Sequence, residues 1–97
     1  MKVRFLGPAR SELRDAVERL NSEAPGTGDR LRDEVRAAID RIKAFPDAWH
    51  HMGGGIRRCR VRGFRYGVIY EPSPDEIVII AVAHFSREPG YWRTRRK

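Results

Sequence analysis

Ninety-seven residues make room for one domain with a modest core, since a chain this short hides little more than about half of its surface. No apolar run is long enough to span a membrane, MKVRFLGPAR lacks the apolar run of a signal peptide, and one cysteine, Cys59, excludes an internal disulfide and fits a reducing cytoplasm. The formal charge of +7 is uneven, with ten Lys/Arg against nine Asp/Glu over residues 1–50 and ten against four over residues 51–97, a balance that serves solubility or an acidic partner such as nucleic acid or an acidic protein segment.

The first residues alternate, with Met1, Val3 and Phe5 on one side, and predict a strand over 1–6. Gly7-Pro8 breaks it, and Pro8 suits the first turn of a helix. Leu13, Ala16, Val17, Leu20 and Ala24 then form one stripe at helical spacing. APGTGD is a loop, and Asp29 is placed to cap the next helix. That helix carries Leu31, Val35, Ala38, Ile39 and Ile42 and stops before Pro46. Together the two make a helical hairpin over 9–45 that needs a surface to cover.

HHMGGG reads as the most flexible segment. It is not a phosphate loop, because no Gly-Lys-Ser/Thr follows. His50 and His51 are adjacent, with no carboxylate or cysteine cluster beside them, so no metal or other cofactor is expected. Phe45, Trp49 and Met52 are expected to close one end of the core.

The period then changes to two. Arg58, Arg60 and Arg62 share one face, and Cys59 and Val61 the other. Arg62-Gly63 predicts a tight turn. Phe64, Tyr66, Val68 and Tyr70 share a face in the next strand, and EPSPDE is a turn. IVIIAVA is apolar on both sides, which predicts a central strand. The order β-α-α-β-β-β, with helices and late strands segregated, predicts an α+β fold: an antiparallel sheet with the hairpin on one face. The expected layout is a single domain over 1–97, with three antiparallel strands over 56–84 and a basic tail over 85–97.

This order in under 100 residues resembles the RelE/ParE family of type II toxin–antitoxin toxins. So does the text RRCRVRGFRYGVIYEPSPDEIVIIAVAHFSREPGYW: an arginine-rich strand, an aromatic strand ending in Tyr, a short acidic turn, an apolar strand, then His, a gap and Arg. FLGPARSELRDAVERL resembles the family's first strand and helix. The resemblance implies a cytoplasmic toxin held in a hetero-oligomer by an antitoxin with an acidic C-terminal segment. A ParE-like toxin implies a ParD-like antitoxin and DNA gyrase as target, without hydrolytic chemistry. A RelE-like toxin implies a ribosome-dependent endoribonuclease acting on mRNA.

An endoribonuclease needs a base, an acid and cations for the phosphate. His84, Arg87 and Tyr91 are its candidates, with Arg58, Arg60 and Arg65 as phosphate clamps. No lysine lies between Lys43 and Lys97, so the sheet lysines of RelE-like sites have no counterpart. EPGYWRTRRK is too broken for the C-terminal helix that carries a RelE-like tyrosine, and AHFSREPGYW looks more like ParE. The ParE-like reading assigns no catalytic residue. Its candidate antitoxin- or target-binding residues are Arg58, Arg60, Arg62, Arg65, Arg87 and Trp92, with Tyr91 and Trp92 laid against the sheet. His84 reads equally as a strand-end histidine bonded to backbone. A basic nucleic-acid-binding domain without toxicity, and a decayed toxin that still binds its antitoxin, are further readings.

Overall fold

The computed structural model describes residues 1–96, with Arg96 by its backbone alone; Lys97, the end of the expected tail, lies outside the described residues. A short strand, β1 (Lys2–Phe5), leads into α1 (Gly7–Glu23) and α2 (Thr27–Ala44). Pro8 falls in the first turn of α1, where its missing N–H costs nothing. Gly26, at φ +92°, turns the chain between the helices. The Asn21 amide oxygen accepts from the N–H groups of Gly28 (2.7 Å) and Asp29 (3.3 Å). The expected Asp29 cap is therefore replaced by a side chain from the neighbouring helix. Asp29 instead sits inside the first turn of α2, where a negative charge meets the positive end of the helix.

The sheet has five strands in the order β1-β5-β4-β3-β2. The last four are β2 (His50–Gly53), β3 (Ile56–Arg60), β4 (Tyr66–Pro72) and β5 (Glu76–His84). β2 to β5 are antiparallel neighbours, as expected for the late strands. β1 joins β5 in parallel, which makes the sheet mixed. HHMGGG is not a loose loop. It forms the edge strand β2 and a turn through Gly54 and Gly55, at φ +64° and +81°. Polar His50 and His51 suit an edge, where one side of the strand faces water. The turn expected at Arg62-Gly63 widens to residues 62–65 and is closed by Val61 N–H to the Tyr66 carbonyl (2.9 Å).

The helices pack on one face of the sheet. There Leu31, Val35, Ala38 and Ile42 of α2 meet Cys59, Val61, Val68, Tyr70, Ile77 and Ile79. The Tyr70 hydroxyl donates to the Pro46 carbonyl at 2.5 Å, and burial pushes its pKa up to about 12. Burial also raises the Cys59 thiol, leaving it a core group. Trp49 packs against this core, but Phe45 does not: it is 66% exposed. The α2 C-terminus carries Phe45 past the last buried turn.

The opposite face is apolar as well. Between Ile69 and Tyr70 the β4–β5 register slips, leaving Ile80 without a partner in β4. Ile80 and Ala81 consequently both point away from the helices, beside Ile56, Ile69 and Ala83. Such a face cannot remain bare. Residues 85–96 fold back over it, burying Trp92 to 2% exposure and packing Tyr91, Met52 and Leu6 around it.

Candidate functional site

Three features stand out beyond the core, and the sheet's geometry sets their places. β1 pairs with β5 only as far as Ile79, so the outer edge of β5 beyond Ile79 lacks a strand. Two side chains take its place. Glu12 of α1 accepts from the Val82 N–H at 3.1 Å, and Arg95 donates to the Ile80 carbonyl at 3.3 Å. Glu12 and Arg95 also bind each other through two bonds, at 2.8 and 3.0 Å. The Tyr91 hydroxyl donates to Glu12 at 2.6 Å. The clasp therefore joins α1, the open strand edge and the tail. Burial first, then the Glu12 hydrogen bond, pushes the Tyr91 pKa up to about 12. Glu12 was not among the residues expected to matter. Its signal was present: it lies between Ala9 and Ala16, at i−3 and i+4, both small and buried.

The second feature is the end of the sheet where β3 stops, β4 starts and β5 stops. The register puts Arg60 opposite Gly67, and Gly67 opposite Ala83. Arg58 and Arg60 both stack on the Phe85 ring, 5.2 and 5.4 Å from its centroid. A side chain at Gly67 would close this arrangement, because its Cβ would lie 2.8 Å from the Arg58 stem and 3.4 Å from Phe85. Arg65 stands in the adjoining loop, which is pinned by Phe85 N–H to the Arg65 carbonyl (2.9 Å). Arg62 is exposed in the same loop rather than continuing β3. Arg19 of α1 reaches this end too, donating to the Tyr66 hydroxyl at 2.8 Å, a contact the sequence did not announce.

His84 stands at the border of these two features. Its Nδ1 accepts the Ser86 N–H at 3.0 Å, and its ring meets Tyr66 edge-on at 5.0 Å. The backbone-bonded arrangement allowed by the sequence is the one present. Arg87 lies over the Tyr91 ring at 3.9 Å, with Glu12 at 4.0 Å, and its side chain stays 54% exposed. The fold thus gathers Arg58, Arg60, Arg65, His84 and Arg87 around one end of the sheet. Trp92 differs from the arginines: it is enclosed in the second apolar cluster, at the floor of the pocket lined by His84 and Arg87.

The third feature is a groove of about 250 Å³ bounded by β1, α1 and α2. Phe5, Leu13, Val35 and Ile39 make its floor, and Arg10, Arg32 and Arg36 its rim. Arg58, Arg60, Arg62, Arg65 and Arg87 do not line this groove; Arg60 and Arg65 border a second cleft, of about 470 Å³, between the helices and the sheet, with Arg19, Leu20, Phe64, Tyr66 and His84. Among the described residues no group of three or more His, Cys, Asp or Glu is placed to hold a metal ion.

The description "ParE toxin of type II toxin-antitoxin system, parDE" belongs to a family model that matches residues 3–89. This chain belongs to the ParE toxin family. The matched stretch holds Glu12 and the arginine-rich sheet end; Tyr91, Trp92 and Arg95 follow it. A solved structure described as a chromosomal ParDE TA system from P. aeruginosa is similar in fold, with a TM-score of 0.68 over 87% of this chain and 95% of that one, at 11% identity. A search of curated proteins returned no match. At such identity the likeness rests on the shared fold, so the toxin's own contacts must be argued from its own residues.

Proposed function

We propose that this ParE-family toxin arrests growth by binding DNA gyrase, without hydrolytic chemistry, and that a ParD-like antitoxin neutralises it in the cytoplasm. One observation carries the choice of binding over RNA cleavage: the would-be catalytic groups are committed elsewhere. The Tyr91 hydroxyl is spent on Glu12 and keeps its proton far above neutral pH. Arg87 is stacked on that same tyrosine. His84 packs against Tyr66 with Nδ1 occupied by Ser86. His84, Arg87 and Tyr91 line one pocket, but a general acid and base need free groups aimed at one reacting bond, and His84 Nδ1, the Tyr91 hydroxyl and the Arg87 guanidinium are held by structural partners.

The groove beside β1 is the natural seat for the antitoxin. Its apolar floor and arginine rim complement an acidic, partly apolar segment, and β1 offers the free edge of the sheet at which such a segment can add as a strand. A hetero-oligomer follows from that seat. Among the described residues no helix is long and apolar enough to cross a membrane.

The test is to induce the chain in bacterial cells without antitoxin and to follow the DNA-damage response and mRNA integrity together. A damage response with intact transcripts is expected. Early transcript cleavage without it would refute gyrase binding as the mode of action and turn attention to His84, Arg87 and Tyr91 as a RelE-like mRNA site.

A further inference from the structure

The arginine-rich sheet end holds more charge than the fold uses. Arg4, Arg14, Arg19, Arg32, Arg57, Arg87 and Arg95 each face a carboxylate. Arg58, Arg60, Arg62 and Arg65 have no such partner among the described residues, and their guanidinium groups donate no hydrogen bond there. Four uncompensated cations at one end repel one another. Two of them are nevertheless held in place by the Phe85 ring, in the space that Gly67 leaves. A glycine inside a strand weakens the strand, and it commonly marks a close approach. Here the close approach is the Arg58 stem. Positioned guanidinium forks with free N–H groups and no counter-charge are a receiver for anions.

The spread over β3 and its following loop fits several anions in a row. An acidic protein segment would also need apolar anchors; those beside this end, Leu20, Phe64 and Tyr66, line a cleft that Arg60 and Arg65 border but Arg58 and Arg62 do not. Single-stranded nucleic acid would need open aromatic faces on which bases can stack. Here the rings near this end already carry arginines: Phe85 carries Arg58 and Arg60, Tyr91 carries Arg87 and Arg95, and Phe64 carries Arg30. What is left on offer is charge with fixed geometry.

We infer that the end of the sheet formed by Arg58, Arg60, Arg62 and Arg65 binds the phosphate backbone of duplex DNA, independently of base sequence. The inference stands apart from the gyrase reading, because it concerns the toxin and DNA alone.

Fluorescence anisotropy of a short labelled duplex with the purified full chain, across a salt series, tests it. Four phosphate contacts give a log–log salt slope of about −3.6, at about −0.9 per contact. The Arg58→Gln/Arg60→Gln variant is expected to lose about two contacts' worth of slope and to weaken low-salt binding by roughly tenfold or more. Lys2→Gln/Arg4→Gln removes the same charge on β1, beside the end of β5 opposite His84, and is expected to leave the slope unchanged. Gly67→Ala keeps every charge but displaces Arg58, and is expected to weaken binding as well. Circular dichroism melting of each variant confirms that it folds. Equal losses in the two charge-removing variants would overturn the inference, because net charge alone would explain binding. So would binding of a single strand of equal length, or of polyglutamate, as tight as that of the duplex.

Discussion

Replacing Glu12 by Ala strips four hydrogen bonds at once, from Val82 N–H, the Tyr91 hydroxyl and both terminal nitrogens of Arg95. Breaking a buried ion pair by removing one member costs about 3–5 kcal/mol. Both side chains keep some contact with water, at 15% exposure for Glu12 and 19% for Arg95, so the lower end applies. Alanine's better helix propensity returns a few tenths of a kcal/mol. The expected loss is therefore about 2–3 kcal/mol, or about 10–20 °C in melting temperature for a domain of this size. Urea unfolding followed by tryptophan fluorescence reads it, since Trp92 lies beneath the clasped tail. Glu12→Gln keeps one acceptor oxygen, for Val82 N–H, but puts an amide NH2 where the Tyr91 hydroxyl donates and loses the charge facing Arg95, so more than half the loss is expected. Amide exchange adds a local readout: Val82 N–H should lose protection in Glu12→Ala, because no strand lies outside it. A loss below about 1 kcal/mol, the scale of exposed pairs, would refute the account of Glu12 and Arg95 as a substitute for a missing strand.

Gly28→Ala should destabilise the toxin although alanine is the better helix former by about 1 kcal/mol. The added Cβ would fall on the Val17 carbonyl of α1, and a backbone atom cannot yield as a side chain does; a net cost of about 1–3 kcal/mol in chemical denaturation is expected. Tyr70 and Tyr91 should hold their protons until about pH 12, whereas an unfolded tyrosine releases its proton near 10. The folded state then binds more protons between those values, so stability should fall as pH rises from 10 to 12, with tyrosinate absorbance appearing alongside unfolding. Ile39→Asp puts a charge on the floor of the groove beside β1; it should weaken antitoxin capture in a pull-down while growth arrest persists without antitoxin.

The sequence by itself determined the order of elements and most of the core. The periods of 3.6 and then 2 assign the helical hairpin and the late strands, because burial of one stripe or one face imposes those spacings. The two-sided apolarity of IVIIAVA correctly marks β5 as central. It also anticipates that Tyr91 and Trp92 return to cover the sheet, since an apolar face has to be covered. Three things were decided only by tertiary structure. β1 pairs in parallel and stops at Ile79, a matter of how far a four-residue strand can run beside a nine-residue one. HHMGGG becomes an edge strand because β3 offers hydrogen bonds to it, which no local propensity reports. The clasp of Glu12, Tyr91 and Arg95 joins residues up to 83 positions apart, a distance at which no sequence spacing carries a signal. The arginines lie between these cases. Their alternation along β3 was legible, but their lack of counter-charges and their stacking on Phe85 over Gly67 depend on which strands the sheet sets side by side.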